Sequence, residues 1–333
     1  MHRFISSALV ASCLVSSSAF AVSTLNQFQS VTVAPQSGGS GKQTFRHVVY
    51  GDSIFAGYVA GGGIFGLPGQ TRRNGAYVES EYLANKWNAN IDHQGRCVSG
   101  AVASQIYSRM QTDVSYMQKS NTRIVSFEMC GNDFLKARTT FRSASGCDES
   151  GLQAALNTCK SYVGQTMDYI NAHANAGSVK MVMNLYYPDF AADQTTTKSG
   201  CAGRSNLDVF LPYLAHSNWA VCDLARQKGF KCADSFAEVM GSDYDRNGDG
   251  TVDSQALKYV SGETEASYVT RIAQTLKVTL VDPNVKLLNA STSVDYLQSD
   301  NTHPTYTTTN FSASDYWGHN RLGAALSRNN ASF

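Results

Sequence analysis

The chain has 333 residues, a formal net charge of +1, and only 16% charged residues. That length supports a sizeable hydrophobic core in one large domain or two small ones. Near-neutrality without a run of Lys and Arg argues against nucleic acid as a partner, because phosphate binding needs clustered positive charge.

At the start, His2 and Arg3 precede an apolar segment over residues 4–15, and Ala19-x-Ala21 follows. This is the pattern of a cleaved secretory signal over residues 1–21, too short to span a bilayer, and it predicts a secreted or periplasmic chain beginning near Val22. A rival reading takes Val10-Ala11-Ser12-Cys13 as a lipoprotein signal, with an apolar region only a few residues long. Residues 22–44 are rich in Ser, Gly, Gln and Thr, with SGGSG at 37–41, and are expected to form a flexible leader.

From Phe45 onward short apolar runs alternate with helical periodicity. Strands are expected at 47–50, 90–93, 123–129, 180–185 and 230–233. Ile106, Met110, Val114 and Met117 share one helix face, as do Leu152, Leu156, Cys159, Val163, Met167 and Ile170. Gly177 stands at a plausible helix stop. Strand–helix alternation predicts one domain over residues 45–333, built on a parallel sheet with helices on both faces. Ligands in such folds sit at the carboxyl ends of the strands.

Export would give cysteine an oxidising environment. Without Cys13, seven cysteines remain: Cys97, Cys130, Cys147, Cys159, Cys201, Cys222 and Cys232. Most should pair. Cys147–Cys159 and Cys222–Cys232 each close a short loop and are the preferred pairs, leaving one cysteine over; no CxxC spacing suggests zinc.

Three of the expected strand ends carry unusual residues. They read Gly51-Asp52-Ser53, then Gly95-Arg96-Cys97-Val98-Ser99-Gly100-Ala101, then Cys130-Gly131-Asn132-Asp133-Phe134. Near the end of the chain stands Asp300-Asn301-Thr302-His303-Pro304. A serine hydroxyl becomes nucleophilic when a base such as histidine takes its proton, and a carboxylate orients that imidazole. The tetrahedral intermediate then needs donors aimed at its oxyanion, and the amides of Ser53 and Gly100 with the Asn132 side chain offer three. Taken alone, Ser53 reads first as a turn or helix-cap residue, and Asn132 equally well as a turn residue; the other blocks turn Ser53 into a nucleophile. His319 is the second candidate base, whereas His47, His93, His173 and His216 lack such neighbours.

HVVYGDSIFAG, CVSGA, MCGNDF and DNTHP resemble, in order, the four signature blocks of the SGNH hydrolases, the GDSL esterases and lipases. The resemblance runs from Val48 to about Leu326 and departs from the usual GDSL at Ile54. It implies a three-layer α/β/α, flavodoxin-like fold. It also implies a catalytic Ser53, His303 and Asp300, with an oxyanion hole of Ser53, Gly100 and Asn132. Gly95 is the alternative for the second block, and Cys130 is unusual in the third. The absence of Gly-x-Ser-x-Gly argues against an α/β-hydrolase nucleophile elbow.

The activity so implied is hydrolysis of carboxylic esters without a catalytic cofactor. Small ester or lipid substrates, with transient contact to a membrane or lipid surface, are the expected partners. Ile54, Phe55, Tyr58, Ile64, Phe65 and Leu67 would line an acyl pocket or simply fill the core. A carbohydrate O-acetyl esterase, a lipid acyltransferase and a calcium-dependent binding or adhesion module are the alternatives.

A second motif lies apart from this chemistry. Residues 245–253 read DRNGDGTVD and resemble the calcium loop of EF-hands, with Asp245, Asn247, Asp249, Thr251 and Asp253 as ligands. Position twelve is Ala256 where an EF-hand carries Glu. A structural Ca²⁺ within an insertion at 238–262 is expected, its shell completed by another group such as Asp243 or Glu263.

Overall fold

The structure, a computed structural model, describes residues 25–60, 69–240, 244–245, 257–281, 286–287, 296–306 and 318–329. The proposed signal sequence lies outside them, as do Asn247, Asp249, Thr251 and Asp253 of the calcium loop; the Asp245 side chain is likewise not described.

In chain order the elements begin with β1 (Leu25–Asn26), β2 (Gln29–Val33), β3 (Thr44–Tyr50), α1 (Ser53–Ala56), β4 (Tyr58–Val59), β5 (Gly69–Gln70) and α2 (Gly75–Trp87). Next come β6 (Asn90–Gly95), β7 (Val98–Ser99), α3 (Ala103–Thr112), α4 (Val114–Met117), β8 (Thr122–Glu128), α5 (Gly131–Ser143) and α6 (Ser150–His173). The chain continues with β9 (Val179–Met183), α7 (Phe190–Thr195), α8 (Asn206–Lys228), β10 (Lys231–Ala233) and α9 (Ser235–Met240). It closes with β11 (Tyr244–Asp245), α10 (Glu265–Val281), β12 (Lys286–Leu287) and α11 (Gly318–Asn329).

Six strands form the main sheet in the order β10-β9-β8-β3-β6-β2. The first five run parallel, and β2 lies antiparallel on β6. Among the parallel strands the chain starts on β3, steps one way to β6, then crosses back to β8, β9 and β10. That is the 2-1-3-4-5 order of a doubly wound sheet, whose switch point lies between β3 and β8. All five expected strands are present within a few residues of their expected ends.

Both faces of the sheet are covered. On one, α2 packs against α11, which in turn contacts α9 and β10. On the other, α6 packs against α8, α5 and α3, and α8 against β9 and β10. The expected helix faces are the buried ones: Ile106, Met110 and Met117 on α3 and α4, and the whole Leu152-to-Ile170 stripe on α6. The first of these runs breaks at Asp113, where α3 ends and α4 begins. Val48, Val49 and Tyr50 of β3 are fully buried, as a central parallel strand with helices on both faces requires.

The sequence expectation of a flexible leader over 22–44 needs correction. Gln29-Ser30-Val31-Thr32-Val33 pairs along β6 from Gln29↔Gly95 to Val33↔Ile91. Val31, Thr32 and Val33 are β-branched, burial alternates along the segment, and Val33 is buried beside Ile91. Its low-complexity flank is a turn followed by β3, so the polar composition belongs to an edge strand and not to a tether.

The disulfides also differ from expectation. The bridges are Cys130–Cys159, Cys147–Cys201 and Cys222–Cys232, and Cys97 is free and buried. The expected Cys147–Cys159 pair is therefore wrong. Cys147 precedes α6 while Cys159 lies in its third turn, about 14 Å along the axis from Ser150 at 1.5 Å per residue. A bridge needs Cα atoms within about 7 Å, so a short loop in sequence is not short in space when a helix fills it. Cys222 and Cys232 do pair, because the chain reverses from α8 into β10 between them.

Candidate active site

The site lies at the switch point of the sheet. In the β3–β8 ladder Tyr50 sits opposite Phe127, so Gly51-Asp52-Ser53 and Glu128-Met129-Cys130 leave the sheet side by side. A Cβ on Gly51 would lie 2.4 Å from Glu128 Oε1, which makes glycine the residue that lets the two strand ends stay adjacent. Asp52 then caps α1, its Oδ1 accepting the Ile54 amide at 2.9 Å. Gly57, at φ +72°, ends that helix after one turn. Ser53 is its first residue, so its own N–H has no partner within the helix.

The last motif reaches Ser53 from 250 residues away. His303 Nε2 lies 2.9 Å from Ser53 Oγ, and His303 Nδ1 lies 2.5 Å from Asp300 Oδ2. Asp300 Oδ1 accepts the amides of Thr302 and His303 at 3.1 and 3.0 Å. Burial pushes the Asp300 carboxyl up, but the His303 hydrogen bond and charge and the loop amides outweigh it and hold Asp300 below its usual range. Ser53 is 8% exposed and the His303 side chain 15%, so both groups are largely withdrawn from bulk solvent.

Four residues that sequence reasoning did not single out for these roles hold this arrangement. The Tyr58 ring lies 4.3 Å from the His303 ring, and Tyr186 donates its hydroxyl to Thr302 O at 2.6 Å. Gln298 donates to Tyr58 O and Pro304 O and accepts the Ala60 amide, joining the histidine loop to the segment after α1. Glu128 accepts the Asp52 amide at 2.6 Å. Nothing in the spacing of these residues marks them; only their place at strand ends and loop bases does.

The second and third motifs meet beside Asp52. Val98 donates to Gly51 O at 2.9 Å, and Ala101 donates to Val98 O, closing a turn in which Gly100 takes φ +77°. Asn132, the second residue of α5, donates through Nδ2 to Asp52 Oδ2 at 2.9 Å and to Ala101 O at 3.0 Å. Thus Asn132 joins all three strand-end motifs. The residue before α5, Cys130, has φ +84°, a conformation most side chains avoid, and its bridge to Cys159 ties that turn to α6. Gly95, the alternative glycine, lies in β6 against Gln29 of β2.

His319, the second candidate base, does not face Ser53. It is buried at the start of α11, where Nδ1 accepts the Gly75 amide at 3.2 Å. His47 and His93 lie in a buried seam with Ser80 and Ser126 beneath α2. Burial drives His47 well below its usual range and His93 to about 4.

A pocket reaches Ser53 between α5, α8 and the end of β9. Ile54, Phe134, Leu185, Tyr186, Phe210 and Leu214 give it a mostly apolar wall, and Asp52 and Glu128 also line it. Of the residues expected to line an acyl pocket, Ile54 does so. Phe55 is core, Tyr58 packs on His303, and Ile64, Phe65 and Leu67 lie outside the described residues.

No family model and no curated protein matches this sequence. Among solved structures, the chain is similar to the lipase Lip_vut3 from a goat rumen metagenome, at 14% identity and a TM-score of 0.46, covering 70% of this chain and 96% of that one. It is similar to a lipase/acylhydrolase from Enterococcus faecalis, at 12% identity and a TM-score of 0.43, over 85% and 94% of the two chains. It is also similar to an extracellular lipase from Streptomyces rimosus, at 19% identity and a TM-score of 0.39, over 67% and 92%. These likenesses are too remote to transfer a residue's role, and the chemistry of the site rests on its own geometry.

Proposed function

We propose that this chain is a serine carboxylic ester hydrolase of the SGNH type. The observation that carries this reading is the unbroken Ser53–His303–Asp300 hydrogen-bond chain at the switch point of the sheet. His303 Nε2 takes the Ser53 proton as Oγ attacks the ester carbonyl, and Asp300 holds Nδ1–H and stabilises the imidazolium. The Ser53 and Gly100 amides and the Asn132 side chain receive the oxyanion. Both Nδ2 hydrogens of Asn132 are engaged, so the one given to Ala101 O is shared with the oxyanion as charge develops. Collapse expels the alcohol, which takes the proton from His303. Water, activated by the same imidazole, then releases the acid and restores Ser53.

The apolar wall of the pocket at Ser53 supports lipid or medium-chain acyl esters as substrates. Export, and a structural calcium held by the loop at 245–253, are likewise proposed on the sequence patterns and supply no step of this chemistry.

The direct test treats the protein with a serine-directed phosphonate, maps the adduct by mass spectrometry, and assays nitrophenyl esters of increasing chain length. A single adduct on Ser53 and loss of hydrolysis in Ser53→Ala are expected. An adduct elsewhere, with Ser53→Ala still hydrolysing esters, sinks the assignment. Activity confined to acetyl esters favours a carbohydrate O-acetyl substrate over lipid.

A further inference from the structure

Beneath the nucleophile two acidic side chains are buried together. Glu128 is fully buried at the end of β8 and Asp52 nearly so at the end of β3. Glu128 Oε1 accepts the Asp52 amide at 2.6 Å. Its Oε2 is sealed from solvent and meets no donor among the described residues. The amide that Glu128 holds belongs to Asp52 itself, so the two acidic groups share one site sealed from solvent. Two adjacent anions there repel, and a proton on one of them removes the repulsion.

The surrounding donors decide which. Asp52 accepts the Ile54 amide on Oδ1 and the Asn132 amide on Oδ2, two bonds that favour its ionised form. Glu128 accepts the Asp52 amide on Oε1 while its Oε2 accepts no bond among the described residues, so a proton on Oε2 displaces none; the Phe55 amide also favours ionised Glu128 but is outweighed by burial and the Asp52 charge. Among the described residues no Lys or Arg forms an ion pair with either group. The other titratable groups that feel the pair are Cys97 on the β6–β7 link, Tyr186 after β9, Asp133 on α5 and His303. Of these only His303 can bring a positive charge.

We propose that Glu128 is a positioning residue that stays protonated and donates a hydrogen bond to the Asp52 carboxylate, fixing the anion that orients both the Ser53 turn and the Asn132 amide. Burial, then the Asp52 charge, drive the Glu128 carboxyl well above its usual range, in accord with this geometry. Ionising Glu128 would set two anions side by side with no cation to offset them. Asp52 would then shift from Ile54 and Asn132, and the oxyanion donors with it.

The inference rests on the ester-hydrolase reading for its kinetic arm only. Glu128→Gln keeps one oxygen for the Asp52 amide and one N–H for the Asp52 carboxylate, whereas Glu128→Ala keeps neither. On nitrophenyl esters, Glu128→Gln is expected to retain kcat within about threefold, with an alkaline limb extending beyond that of the wild type. Glu128→Ala should lose about 10- to 100-fold in kcat with KM little changed, because donors to the oxyanion are misaimed.

Two further readouts need no catalysis. The infrared difference between wild type and Glu128→Gln near neutral pH should contain the carbonyl stretch of a protonated carboxylic acid. Above about pH 4.5 the unfolded chain ionises Glu128 while the folded chain does not, so the wild type should lose stability relative to Glu128→Gln as pH rises. Absence of the acid band, a stability difference flat with pH, or a folded Glu128→Gln as impaired as Glu128→Ala would each overturn the proposal. If the wild type hydrolyses no ester, the functional reading fails alone and the two physical readouts still decide the state of Glu128.

Discussion

His319 offers a sharp physical test of the packing between α11 and α2. The residue is 1% exposed, Nδ1 accepts the Gly75 amide, and Nε2 has no partner within the described residues. The helices meet closely there: a Cβ on Gly75 would lie 2.7 Å from Leu322 Cβ, and one on Gly323 2.3 Å from Val78 Cγ1. Burial, and then the His303 charge, lower His319 to about 3. Below about pH 6.5 the unfolded chain binds a proton that the folded chain refuses, so stability falls with falling pH across that window at about 1.4 kcal/mol per unit. Between pH 7 and pH 5 the loss is about 2 kcal/mol for this one residue, against a total stability on the order of 5–15 kcal/mol. Gln in its place keeps an acceptor for Gly75 and cannot charge. Urea unfolding followed by tryptophan fluorescence, run on wild type and His319→Gln at both pH values, isolates the effect. Contributions from His47, His93 and Glu128 are common to both proteins and cancel. The stability of the wild type relative to the variant should drop by about 2 kcal/mol on acidification. A relative stability constant within about 0.5 kcal/mol would refute a buried neutral imidazole.

Asn132→Ala removes one proposed oxyanion donor and should lower kcat by about 10²–10³ with little change in KM, read by steady-state ester hydrolysis. Asp300→Asn keeps the size of the side chain but favours the wrong imidazole tautomer, and a loss on the order of 10⁴ in kcat is expected, with KM nearly unchanged. The Cys147→Ala/Cys201→Ala pair opens a bridge spanning 54 residues. Chain entropy then predicts a loss of about 4 kcal/mol, measurable by denaturant unfolding under non-reducing conditions.

Local pattern carried far in this protein. The apolar runs that became β3, β6, β8 and β9 and the periodic faces of α3 and α6 are properties of neighbouring residues, and they are readable as such. The expected strand ends also located the loops holding Ser53, Gly100 and Asn132, because a parallel sheet presents its ligand-facing loops at one edge. Pairing across the chain was less accessible. The leader strand β2 was hidden because its polar composition reflects one solvent-facing side, and only β6 supplied its partner. Cys130–Cys159 was hidden because α5 and the turn after it bring together residues 29 apart, while α6 separates Cys147 from Cys159.

What the sequence determined by itself was the order of the strands and helices, which faces they bury, and which loops carry Ser53, Asn132 and His303. What the tertiary structure alone decided was the contact between them. His303 meets Ser53 across 250 residues, and Glu128 lies beneath Asp52 because β8 crosses back beside β3. A buried acid without a cation has no signature in sequence, since its meaning depends on the strand that happens to run next to it.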